Sequence, residues 1–443
     1  MQSVATQLRQ SVARACGLVL LILSSDLPQF LVASEAGSPG GPSPRLTATE
    51  CGAIGDGIVL NTTTIQSAID RLALSGGGTL VIPPGVFVSG ALFLKPGVNL
   101  LLEKDAVLRA STDVAADFPA RRTRIEGHFE ALFTPALINA DGCDGLRITG
   151  EGTLDGAGRP LWDLFWKLRL AAPDPKAFRN LGIPRARLAL VENSRDVLIE
   201  GVSFKDSQFW NLHLYRCREV HVKNARFSVP DDYKQAPSTD GIDVDSCQDV
   251  KIEGCWFSVT DDAVALKGTK GPLALQDHDS PPVEHVRVRD CVFQRAHAAV
   301  TLGSEATVVR DVLVERCRVL GAMVVANFKL RPDTPQRYEN IRYQDITLES
   351  SGGALVTIQP WKQYLELQGL TPPCSVVRDV SFSGIRGRFG SFGGIAGSPG
   401  QTEINGVRFA DVDVNFRRSK VTIQDGSEVH FENVKVNGAP YLP

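Results

Sequence analysis

From residue 197 onward the chain repeats one short pattern of apolar and polar positions. Residues are apolar at p, p+2, p+5 and p+7, with p at Val197, Val220, Val250, Val286, Val312, Ile341, Val380, Val407 and Val429. Successive starts lie 23, 30, 36, 26, 29, 39, 27 and 22 residues apart. Alternation over such short stretches marks strands, because successive side chains of a strand point to opposite faces. A unit this small cannot bury its apolar side alone, so neighbouring units must stack and cover one another. The pattern predicts an all-β solenoid of parallel strands, in which the shortest intervals are close to one bare coil and the longer ones carry loops.

The region ahead of these repeats predicts a start to the array. Gly52-Ala53-Ile54-Gly55-Asp56-Gly57 leads into a helix with Ile65, Ala68, Ile69 and Leu72 on one face, an Asn or Thr near Asn61 suited to cap it, and an end near Gly76-Gly77-Gly78. Strands are predicted over 79–82, 86–93 and 99–102. A helix in this place covers an otherwise exposed sheet edge. Arg9 and Arg14 precede an apolar run over 17–23 that is too short to span a bilayer, and small residues over 33–37 suit cleavage. Residues 1–36 are therefore expected to be a signal peptide, 37–45 a linker and 46–443 the solenoid, in a secreted or periplasmic protein; a membrane anchor is the competing reading of the apolar run.

Composition adds three constraints. A length of 443 residues suits an elongated array, which escapes the size ceiling of a single core. The net charge of −3 supplies no basic field for nucleic acid, so an anionic partner has to be held by a few local cations. Cys255, Cys291 and Cys317 share p+5, filled elsewhere by Val202, Ala225, Ile346 and Val412, and Cys217 and Cys247 share p−3. Strands ~4.8 Å apart would allow stacked cysteines either to bridge or to remain core thiols, and no Cys-x-x-Cys metal spacing occurs.

The candidate chemistry follows the same register. Asp261 lies at p+11 from Val250 and His297 at p+11 from Val286, while Asp240 precedes Asp261 by 21 residues, close to one coil. Asp240, Asp261, Asp262 and His297 are thus expected on successive rungs spanning ~10 Å, about a sugar and its neighbour. Carboxyls packed together cannot all ionise, and a protonated acid beside an ionised one is what cleavage of a glycosidic bond requires. For Asp261 and Asp262 to reach one site they must sit in a turn before 263–266. Asp231-Asp232 shares p+11 but lies before Pro237 without the flanking motif, so a solvated turn is expected there; Asp243 and Asp245 should face outward beside the cleft. Trp162, Phe165 and Trp166 of the insertion over 157–182, and Trp361, either form sugar platforms or pack their loops onto the coil.

The start motif, Thr239-Asp240-Gly241, Asp261-Asp262 and Ala296-His297-Ala298 followed by Gly303-Ser304-Glu305 resemble glycoside hydrolase family 28, the polygalacturonase-like pectin hydrolases, over roughly 46–443. The resemblance implies a single-stranded right-handed parallel β-helix of the pectin lyase-like kind. It also implies an inverting reaction with Asp261 as general acid, Asp240 and Asp262 holding the water, and His297 orienting substrate or acid. The chain departs from the family pattern at Ser238, at Ala296 and Ala298, and at Asn327-Phe328-Lys329, where the family has Arg-Ile-Lys. Lys329, Arg331, Lys267 and Asn327 are the expected substrate-binding residues. A pectic polysaccharide or oligosaccharide is the expected partner of a monomer that needs no metal or organic cofactor. A rhamnogalacturonan hydrolase is one alternative. A Ca²⁺-dependent lyase or epimerase is another, although no Arg or Lys adjoins the acids in their motifs; a non-catalytic binding solenoid would be marked by loss of an acid, and none is lost.

Overall fold

The computed structural model describes residues 44–441. The expected signal peptide and most of the expected linker lie outside these residues. The central coils each contribute strands to three stacked columns of parallel pairing. The coil of Val250, for example, supplies Gln248–Glu253, Trp256–Ser258 and Val264–Lys267, which pair with Val283–Arg289, Val292–Arg295 and Ala298–Leu302 of the next. The fold is the expected right-handed parallel β-helix.

The register follows the repeat. Val197 faces Val220, Val220 faces Val250, Val250 faces Val286 and Val286 faces Val312. Ile341, Val380, Val407 and Val429 continue the column. Further coils precede Val197, through Leu46, Leu80, Leu100, Ile148 and Ile199, paired in that order. Their p positions are Pro44, Gly78, Val98 and Leu146, two of which break the apolar pattern.

Like residues stack inside the coil. Phe204, Phe227, Phe257 and Phe293, all at p+7, form a face-to-face ladder with centroids 4.8, 5.1 and 5.3 Å apart; offset pairs of this kind contribute about 0.5–1.5 kcal/mol each beyond their buried area. Cys217, Cys247, Cys255, Cys291 and Cys317 are buried free thiols in the same core, so the core reading of the two stacked columns holds. Every coil from Val197 onward turns a corner at p+4 with a left-handed residue: Gly201, Asn224, Gly254, Asp290, Arg316, Asp345, Gly384, Asp411 and Asn433 have φ between 49° and 80°. Gly, Asn and Asp dominate there because a Cβ meets the following carbonyl in that conformation and only short polar side chains offset the cost locally.

The first helix spans Thr62–Leu74 and buries Ile65, Ala68, Ile69 and Leu72 over the end of the array. Asn61 sits at its N-cap without capping it, because its side chain is bonded instead to the backbone of Ile54 and of Val59, in the strand Asp56–Leu60 just before it. The strand expected over 86–93 is two, Gly85–Ser89 and Leu92–Leu94. The chain turns from one sheet to the next at Gly90, where a Cβ would lie 2.1 Å from the Asp117 carbonyl oxygen. No helix among the described residues is long and apolar enough to cross a membrane.

Candidate active site

Asp240, Asp261, Asp262 and His297 stand where three successive coils enter the same sheet. Ile242 faces Val264 and Val264 faces Val300. The Gly241 amide donates to the Asp262 carbonyl at 2.9 Å, and the His297 amide to the Asp261 carbonyl at 2.9 Å. Asp261 and Asp262 precede the strand Val264–Lys267, in the turn that their shared facing requires. All four line one cleft of about 340 Å³.

Neighbouring carboxyls in this cleft are driven in opposite directions. Asp262 is 1% exposed; burial pushes its carboxyl up, but Lys329 Nζ at 2.7 Å and His297 Nδ1 at 3.0 Å outweigh that and hold it far below the usual range. Asp261 is pushed up by burial and then by the Asp262 charge. Asp240 is pushed well up by burial, then by Asp261 and Asp243. Lys267 lies 3.6 Å from Asp240, 3.5 Å from Asp243 and 3.6 Å from Glu305. Burial raises Asp243 to about 8 in spite of that ammonium, whereas the Glu305 carboxyl, with Lys267 and Arg331 overcoming its burial, sits at about 2. The hydrogen bond to Asp262 raises the His297 imidazole.

The expected substrate-binding residues divide. Lys267 and Lys329 line the cleft, each against an indole: Lys267 Nζ is 4.6 Å from the Trp210 ring and Lys329 Nζ 4.7 Å from that of Trp361. Asn327 and Arg331 do not line it. Asn327 is buried and donates to Thr301 Oγ1 at 3.2 Å. Arg331 is gripped by Asp333 at 2.9 and 2.7 Å and donates to the Gln363 and Tyr364 carbonyls. Asp245 does alternate outward, but Arg124 at 3.0 Å covers it, so it is buried away from solvent. Asp232 is exposed and paired with Arg159, the solvated turn expected.

The insertions build the rim. Residues Arg159–Ala171 form a helix that buries Trp162 and Phe165 and presents Trp166 to the cleft; of the three aromatic residues, two pack and one is available to a sugar. The hairpin Arg121–Ile125/His128–Phe133 carries Glu126 to the cleft at its tip. Gly127 lets that tip approach Glu305, whose Cβ would be 2.8 Å from any Cβ at this position. Asn180 Nδ2 donates to Glu126 Oε1 at 3.2 Å, Tyr364 Oη to the Phe178 carbonyl at 2.7 Å, and Arg179 pairs with Glu366 at 3.7 Å. Three separate insertions are thereby joined across the sheet. Trp210, Glu126 and Arg169 were not singled out by sequence, although Trp210 occupies in the preceding coil the position of Asp240, since Leu212 faces Ile242.

The sequence profile of glycosyl hydrolases family 28 matches residues 112–435. The chain belongs to this family. It is therefore a glycosidase by family. A probable polygalacturonase of Vitis vinifera is 28% identical over 57% of the chain and 50% of its own length, so the match takes in half of that relative. An exopolygalacturonase of Zea mays is 23% identical over 80% of the chain and 78% of its own. Among solved structures, an exopolygalacturonase of Thermotoga maritima superposes with a TM-score of 0.70 at 23% identity, covering 91% of this chain and 94% of that one. At that identity the superposition speaks for the fold alone.

Proposed function

We propose that this family member is an exported pectin hydrolase that cleaves α-linked galacturonate chains with inversion. The observation carrying the reading is the unequal setting of two adjacent carboxyls that line one cleft: Lys329 and His297 both bond Asp262 and favour its ionised form, whereas burial and the Asp262 charge favour the protonated form of Asp261. A protonated carboxyl and an ionised one are the two groups that the reaction needs. Asp261 donates its proton to the glycosidic oxygen as the bond to the anomeric carbon breaks. A water held between Asp240 and Asp262 attacks that carbon from the opposite face. Asp262, kept ionised by Lys329 and His297, takes the water's proton and offsets positive charge on the sugar, while Asp240, beside Lys267, helps hold the water. His297 fixes Asp262 and shields the outer side of the acids. No step calls on a metal: Asp261, Asp262 and His297 do have ligand atoms within 4.8 Å of one another, but a cation there would meet the Lys329 ammonium. The bridged rim supports entry of the substrate by a chain end, and residues 1–36 support export.

The experiment is release of reducing sugar from polygalacturonate and from rhamnogalacturonan, with Asp261→Asn as control and product lengths resolved. Wild type should act on polygalacturonate, be unaffected by chelator and release short products from the start, with the variant inert. Wild type and variant equally inert on both polymers would overturn the catalytic assignment; products absorbing in the ultraviolet would replace hydrolysis by elimination.

A further inference from the structure

We propose that Arg169, on the insertion helix Arg159–Ala171, is the residue that reads the carboxylate of the bound uronate, so that the insertion supplies the guanidinium missing from the strand. The inference rests on the pectic reading of the cleft. An anionic sugar needs a cation free to bind it, and three lysine or arginine side chains line the cleft: Arg169, Lys267 and Lys329. Both lysines are committed. Lys267 balances Asp240, Asp243 and Glu305, and Lys329 balances Asp262; diverting Lys267 to substrate would take the cation from two buried carboxyls, and diverting Lys329 would leave Asp262 with His297 alone. Arg331 is locked to Asp333, and Asn327 carries no charge.

Arg169 forms no ion pair among the described residues and is half-buried at the rim. Its Nε donates to the Pro175 carbonyl at 3.0 Å, which fixes the plane of the guanidinium and leaves both Nη groups free. The group lies 5.4 Å from the Trp166 ring, three residues earlier on the same helix face. Trp166 is itself anchored, its Nε1 donating to the Gln235 carbonyl at 2.7 Å. An indole plane beside a planar fork of donors offers one uronate residue a stacking face and a two-point grip on its carboxylate, which an ammonium cannot reproduce.

The test is calorimetric binding of oligogalacturonate and of its methyl ester to Asp261→Asn, with and without Arg169→Gln or Arg169→Lys, run beside wild-type and Arg169→Gln kinetics on both polymers. The expected result is roughly tenfold or greater weakening toward the acid form in Arg169→Gln, partial recovery in Arg169→Lys, and little change toward the ester. In turnover the loss should appear in KM rather than kcat. Equal weakening toward both forms, or none, overturns the role of Arg169. Arg169-dependent binding of the acid form by a wild-type protein that cleaves nothing would uphold this inference and overturn the hydrolase reading instead.

Discussion

Replacing Lys329 with Met leaves the most buried carboxylate of the cleft with one partner in place of two. Asp262 is 1% and Lys329 7% exposed, and their charged atoms are 2.7 Å apart. Removing one member of such a pair costs about 3–5 kcal/mol. His297 remains at 3.0 Å from the other oxygen, so the loss should fall at the low end, ~3 kcal/mol. The sign with pH is definite. In wild type the Asp262 carboxyl is held below the ordinary range, so its contribution to stability is present above the unfolded-state pKa and is lost only as pH falls through the much lower folded value. Without Lys329 the folded value rises, the acid, left with His297 alone, takes up a proton more readily as the solution is acidified, and the deficit should shrink from pH 7 toward pH 4. Activity at neutral pH should drop by about 10²–10⁴, the range for losing a correctly ionised catalytic group. Thermal unfolding and reducing-sugar release of Lys329→Met, Asp262→Asn and the double variant complete the cycle. The double variant should regain most of the stability and none of the activity. A single variant as stable as wild type, or a double variant less stable than Lys329→Met, would refute the assignment of this pair.

Two other substitutions probe the surroundings. Asp243 has its carboxyl raised to about 8, so its favourable contribution is present below the ordinary carboxylate range and is lost as pH rises through 8; Asp243→Asn should flatten the fall of the melting temperature between pH 5 and 9, and an unchanged slope would count against the charge arrangement around Lys267. Gly201 has φ of 80° and room for a Cβ only 2.6 Å from the Gly150 carbonyl oxygen, so Gly201→Ala should cost roughly 1–3 kcal/mol in denaturant unfolding without changing activity.

Much of the molecule was legible because its period is local. The column from Val197 to Val429 could be aligned by counting, since each coil repeats its own apolar positions regardless of loop length. The first coils escaped that alignment for two reasons: Pro44 and Gly78 hold p positions, and the coils of Val98 and Leu146 have Glu103 and Glu151 at p+5, with Leu108 and Leu154 displaced from p+7 yet stacked in the column of Phe204. At the cleft, the residues fixed by rung and strand, Asp240, Asp261, Asp262, His297, Lys267 and Lys329, all line it. Asn327 and Arg331 follow the same alternation as Lys329, yet neighbours from elsewhere claim them: Thr301 takes the amide, while Asp333 and the loop at 363–364 take the guanidinium. Trp210 was accessible by extending the Asp240 position back one coil. Glu126 and Arg169 were not, because a hairpin tip and an insertion helix reach the cleft through packing that no repeat encodes.

The left-handed corners have a consequence for how such a molecule can change length. Between p−1 and p+4 the spacing never varies, and the 22 to 39 residues separating coil starts absorb all their differences elsewhere. Excising 380–406 would splice Asp379, at φ 56°, to Val407 in the place of Gly406, at φ 66°, and so recreate a junction of the same left-handed kind. Val407 would then inherit Ile341 as its neighbour, and the cylinder would shorten by ~4.8 Å with its handedness and the remaining ladders intact. Whole turns are thus exchangeable currency for this architecture, whereas single-residue deletions inside that six-residue frame would shear every side chain beyond them to the wrong face.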